Sequence, residues 1–109
     1  YKVATRTVFE TARADNAFLG MPVDAADGYM HFSTAAQLRE TLRKHFAGQG
    51  DLVLLAVPAA GLPDLEWEPS RGGQLFPHLY RPLPLDLVAW QVPLSVGADG
   101  EVALPEAVR

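Results

Sequence analysis

Three short segments of this chain carry residue types that can do chemistry. The segment Asp27-Gly-Tyr-Met-His-Phe-Ser-Thr34 joins a turn, a short strand and a helix start. It sets the His31 imidazole beside a helix N-terminus, where free amides and the Ser33 and Thr34 hydroxyls favour an anion. The same pattern also suits a half-buried strand histidine next to an ordinary cap. The segment Trp67-Glu-Pro-Ser-Arg-Gly-Gly73 puts an aromatic ring, a carboxylate, a guanidinium and two glycines in one loop. Arg71 there can hold a phosphate through two N–H groups while the glycines let backbone approach a ligand. Equally, it reads as a surface turn with an exposed arginine. Trp67, on an alternating stretch, is expected in the core.

The third segment is Phe76-Pro-His-Leu-Tyr80. In an extended chain His78 and Tyr80 share a face and Leu79 takes the other. A histidine and a tyrosine side by side can bind a sugar hydroxyl or move a proton, although the residues alone slightly favour a polar edge strand. A zinc site from His31, His45 and His78 is not expected. Their spacings match no metal signature, and a cation at His45 suits the end of a helix.

The elements that must position these side chains follow from periodicity. Residues 1–7 alternate as a first strand, and Phe9, Ala12, Arg13 and Ala17 fall at helical spacing over 9–18. Gly20, Pro22 and residues 24–28 read as a loop, followed by a short strand over 29–32. Thr34-Ala-Ala-Gln37 is a capping box. It opens a helix with Leu38, Leu42 and Phe46 on one face, which Gly48 stops. Residues 51–57 are apolar on both faces and predict a strand at the centre of a sheet. Short strands are expected over 65–68, 76–80 and 87–92. Asp99-Gly100 marks a hairpin turn, after which 102–104 can pair back. The fold class is therefore α+β, with a mostly antiparallel sheet and two helices in the N-terminal half.

Composition bounds the rest. At 109 residues and 49% hydrophobic, the chain reads as a single domain, with a core over about 1–93 and a C-terminal extension or hairpin over 94–109. Nine basic residues stand against thirteen acidic ones, for a formal charge of −4. That balance argues against a grip on duplex nucleic acid but leaves room for a local basic pocket. With no cysteine, disulfides, thiolate catalysis and Cys-ligated zinc are excluded. No apolar run approaches the roughly 20 residues of a membrane helix, and no secretory signal is visible in a chain that begins at Tyr1. A cytoplasmic location and no membrane partner are expected.

The order and spelling of the segments resemble a small bacterial family known as domain of unknown function 952. The resemblance rests on Asp27 to Thr34, Gln37, His45-Phe-Ala-Gly48, Asp51-Leu-Val-Leu-Leu55, Leu65-Glu-Trp-Glu68 and Phe76-Pro-His-Leu-Tyr80. It implies a compact ADP-ribosylation-like fold, two small sheets framing a cleft that holds NAD in active relatives. By that resemblance His31, with Ser33 and Thr34, takes the ribose-binding position, and Tyr80 or His78 lies near nicotinamide. The glutamate usual on the late strand is missing, and Glu68 replaces it only if its loop folds inward. A branch of the fold that removes RNA 2′-phosphate relies on His and Arg, which His31, Arg71 and His78 resemble more closely.

Three readings follow. In the first, the chain is a transferase acting on NAD or a nucleotide, with His31, His78 and Glu68 as catalytic residues. Ser33, Thr34, Arg71 and Tyr80 then bind the ligand, NAD is a substrate, and no metal takes part. In the second, it is a nucleotide-binding module without turnover. In the third, it is an interaction domain whose Leu- and Pro-rich stretch over 75–87 docks a protein partner.

Overall fold

The computed structural model describes residues 1–109. Its frame is a three-stranded antiparallel sheet with β4 (Leu52–Ala56) between β1 (Lys2–Thr5) and β8 (Trp90–Leu94). All five residues of β4 are buried, as a strand apolar on both faces requires. Alternation along β4 divides the interior into two cores. Leu52 and Leu54 pack with Val3, Leu38, Leu42, Leu94, Val96 and Val102 on one side. Val53 and Leu55 pack with Ala4, Phe9, Phe18, Met30, Leu79 and Leu83 on the other.

The first helix, α1 (Arg6–Asp15), begins three residues before the expected start. The Thr5 hydroxyl accepts the Val8 amide at 3.3 Å and caps it, and Asn16 ends it in the left-handed conformation. The chain then forms β2 (Ala17–Phe18), which pairs with β7 (Leu83–Pro84) in a small second sheet. Where a loop was expected, α2 (Pro22–Asp27) forms instead. Pro22 has no N–H to lose at the first helical position. Asp24 accepts the Met21 amide at 2.6 Å, and Gly28, at φ 87°, closes the helix. The N-terminal half therefore holds three helices rather than two.

The third helix, α3 (Ala35–His45), follows the sequence pattern closely. Thr34 and Gln37 exchange the two bonds of the capping box, at 3.3 and 3.1 Å. Leu38 and Leu42 are fully buried beneath it. The Gln37 side chain also donates to the Leu75 carbonyl at 2.8 Å, tying the helix start to the third sheet. That sheet runs β3 (Met30–His31), β6 (Leu75–Leu79), β5 (Glu66–Pro69), antiparallel throughout. Its register sets His31 opposite His78.

The architecture is thus α+β with three small antiparallel sheets, where two were expected. Trp67 is 48% exposed, because β5 is an edge strand whose residues stay exposed or half-buried. Alternation identifies a strand, but it does not say which face another element covers. The last strand begins at Trp90, since Leu85–Leu87 turn as a single 3-10 loop. The expected turn at Asp99-Gly100 is present, with the Gly100 amide on the Gly97 carbonyl at 2.9 Å. No strand follows it, and Val102 instead buries its side chain in the core beneath α3.

Two leucines separate packing from mere hydrophobicity. Leu54→Ala should cost about 2–5 kcal/mol in urea unfolding, because Leu54 has no exposed surface. Leu75→Ala, at a residue 52% exposed, should stay within about 0.5 kcal/mol.

Candidate functional site

Lys2 on β1 and Asp24 on α2 are both buried, and their Nζ and Oδ2 atoms stand 2.7 Å apart. Lys2 also donates to the His31 carbonyl at 2.9 Å. Asp24 accepts from the Met21 amide, from the His31 amide at 3.0 Å, and from His31 Nδ1 at 2.6 Å. Both of its oxygens are therefore fully used. Burial opposes its ionisation, but the Lys2 charge and the bonds from Lys2, His31 and Met21 prevail and hold the carboxyl below its ordinary value. Burial pushes the Lys2 ammonium down from its ordinary value, with Asp24 working in the opposite direction.

His31 is thus oriented by a carboxylate on Nδ1, and its Nε2 lies 2.9 Å from Asp27 Oδ2. His78, across the β3–β6 ladder, has a parallel arrangement. Its Nδ1 lies 2.7 Å from Glu68 Oε1, and the same oxygen accepts the Tyr80 hydroxyl at 2.7 Å. The bonds from Tyr80 and then His78 hold the Glu68 carboxyl below its ordinary value. Donation to Glu68 pushes the Tyr80 phenol up to about 12. The two imidazoles meet edge to face with centroids 5.4 Å apart. Tyr29 stacks on His78 at 4.3 Å and leans on His31 at 4.8 Å. The His78 side chain is almost wholly buried, and its Nε2 has no hydrogen-bond partner in the protein.

A cleft of about 530 Å³ joins these parts. His31, His78 and Arg71 all line it, so three segments remote in sequence converge on one space. Lys2, Asp24, Asp27 and Ser33 line it as well, as do Thr41, His45 and Ser70. Arg71 donates to the Thr41 hydroxyl at 3.2 Å, and its guanidinium carbon lies 4.9 Å from the Phe76 ring centre. Ser33 is buried, with its hydroxyl 2.9 Å from that of Thr41. Thr34 spends its hydroxyl on the helix cap and does not line the cleft. Glu68 and Tyr80 also lie outside the lining and act on it through His78. No three His, Asp or Glu side chains are arranged to hold a metal ion, and no helix is long and apolar enough to cross a membrane.

Lys2, Asp24 and Tyr29 escaped the sequence reading. Lys2 sits in an alternating strand, where it reads as a polar surface residue, and Asp24 in a stretch whose glycines and proline read as a loop. A signal for Asp24 existed in Pro22-Val-Asp24, a proline at the first helical position with an acid two residues on. Tyr29 lies inside the segment that carries His31, but nothing in its spacing shows that it stacks between two histidines.

The sequence model of a family described as "Protein of unknown function (DUF952)" matches residues 3–91. The crystal structure of protein CC0527 from Caulobacter crescentus is similar, at a TM-score of 0.88 and 48% identity, covering 94% of this chain and 90% of that one. The solution NMR structure of CC0527 gives a TM-score of 0.80 at 49% identity, covering 93% and 87%. No curated protein matches the chain.

Asp24→Asn should destabilise the fold by about 3–5 kcal/mol in urea unfolding at neutral pH, because it leaves Lys2 buried without its counter-charge. Replacing both residues, as Lys2→Met with Asp24→Asn, should recover part of that loss. The folded value of Asp24 is depressed, so its contribution is complete above the ordinary 3.8 and is lost as pH falls below it. The Asn variant should lack that part of the acid transition. A separate spectroscopic titration should find the Tyr80 phenol near 12, and Glu68→Gln should return it toward 10.

Proposed function

We propose, for a chain that belongs to the DUF952 family of proteins of unknown function, that the cleft binds a nucleotide-class ligand, with NAD the leading candidate. His78 is its proton-accepting residue. The observation that carries this reading is the His78 Nε2, a buried nitrogen without a partner on a residue that lines the cleft. A buried polar atom left unsatisfied costs about 1–3 kcal/mol. The Nδ1–H donates to Glu68, so Nε2 carries a lone pair and suits a hydroxyl donor such as a ribose O–H. The pairing of His78 with Glu68 has the form of a general base oriented by a carboxylate.

The cleft volume lies within the usual range for small-molecule sites. Arg71 supplies a cation for a phosphate, and His31, with its ring nitrogens against Asp24 and Asp27, supplies a fixed wall. The resemblance to the ADP-ribosylation fold suggests NAD. The glutamate-dependent version of that chemistry has no group here to activate an acceptor. Residues Trp90-Gln-Val-Pro-Leu94 of β8 include no carboxylate, and Glu68 is committed to His78 and Tyr80. Chemistry by His and Arg, as in removal of a phosphate from a ribose, is the version these residues suit. A module that binds without turnover is the second reading. Its support is that His78 Nε2 is itself buried, so a reactant reaches it only if the surrounding side chains move.

Thermal unfolding across NAD, ADP-ribose, nicotinamide and 2′-phosphorylated nucleotides tests the proposal. A ligand at about a hundred times its dissociation constant stabilises by about 2.7 kcal/mol, or several degrees in a domain of this size. Wild type should show such a shift, and a folded His78→Gln variant should lose most of it. Release of nicotinamide or phosphate would identify an enzyme, and a shift without product the binding module. No shift with any of the four would overturn the proposal.

A further inference from the structure

The α3 side of the cleft has a composition of its own. Thr41 and His45 stand one helical turn apart on α3, so both side chains reach the same wall. Ser70 and Arg71 complete that wall from the turn after β5. Arg6, Arg13, Arg43 and Arg81 each meet a carboxylate within salt-bridge distance, at Asp51, Glu10, Glu40 and Asp64. Arg71 meets none. One bond to Thr41 and one face against Phe76 fix the plane of its guanidinium, and most of its five N–H donors remain free. We propose that Arg71 and His45, with the Thr41 hydroxyl between them, form a subsite for the phosphate monoester group of a ligand. The proposal rests on the reading of the cleft as a nucleotide site and selects within that class a nucleotide that carries a phosphate monoester, which NAD does not.

The charges that line the cleft support this placement. Asp24 is neutralised by Lys2 and Asp27 meets His31, whereas Arg71 has no carboxylate partner and attracts an anion together with His45. Arg71 binds phosphate through paired N–H groups, and the protonated imidazole adds a second donor from another direction. The groups that act on His45 are known from each neighbouring element. Burial, followed by the positive charges of Arg71, Lys44 and His31, holds its imidazole below the ordinary 6.5. Glu40, on the same helix, is paired with Arg43 and Lys44. An anion seated between Arg71 and His45 cancels that repulsion. Binding must therefore raise the His45 value, and affinity must fall as pH rises through it.

The test follows the His45 imidazole by NMR titration with inorganic phosphate, adenosine 5′-monophosphate, and chloride at matched ionic strength. Phosphate should raise the His45 midpoint saturably, back toward its ordinary value. Arg71→Ala should weaken that response at least about tenfold. His45→Asn, at an exposed position, should fold normally and weaken binding of the monophosphate, read by the shifts of the remaining residues. A monophosphate that binds more tightly than inorganic phosphate supports a nucleotide as occupant, and equal affinities support the subsite with free phosphate as occupant. No movement of His45, the same movement with chloride, or a response unchanged in Arg71→Ala would overturn the proposal. His78→Gln should leave the phosphate response intact, so the subsite and the nucleotide reading fail separately.

Discussion

A buried ion pair holds this fold to its site. Lys2 and Asp24 are nearly inaccessible to water, and each satisfies more than the other. Through Lys2 the first strand reaches the His31 carbonyl, and through Asp24 the second helix reaches the His31 amide and ring. One pair thus joins β1, α2 and β3, elements with too few residues to fix their own positions. A two-residue strand such as β3 has little pairing energy alone. The ion pair also constrains its neighbours. Gly20 packs so close to Asp24 that a Cβ there would lie 2.9 Å from the Asp24 Cβ, and its φ of 103° suits glycine alone.

From that frame the two histidines take different chemical positions. His31 faces a carboxylate from each ring nitrogen and is half exposed, a fixed polar wall of the cleft. His78 has one nitrogen bound to Glu68 and the other unspent in a buried setting. Tyr29 packs on both rings and links their positions. The third helix and the glycine-rich turn present cations and hydroxyls to the cleft. Asp24 and Lys2 are paired with each other there, while Arg71 meets no carboxylate.

The parts legible in the sequence were those whose signals are local. The capping box at Thr34 and Gln37, the Leu38–Leu42 stripe and the doubly apolar β4 are each decided within a few residues. His31, Arg71 and His78 stand out on the same local basis, by residue type next to glycines and a helix start, and all three line the cleft. What remained hidden depends on partners distant in the chain. Lys2 looks like the polar member of an alternating strand, and only Asp24, 22 positions on, makes its burial possible. Trp67 looks like core until the position of β5 at a sheet edge is known. The second helix is hidden because Gly20, Pro22 and Gly28 punctuate the segment, although Pro22 opens and Gly28 closes a helix rather than breaking one. Two sheets were expected where there are three, because strands of two residues such as β2 and β7 have no readable period.

The central claim is that His78 presents an unprotonated Nε2 to a ligand in the cleft. Long-range proton–nitrogen NMR of the histidine rings reads this directly. The account predicts a proton on Nδ1, none on Nε2, and an Nε2 resonance that moves when ADP-ribose is added. A proton on Nε2, or an Nε2 resonance unmoved by a ligand that stabilises the fold, would contradict it.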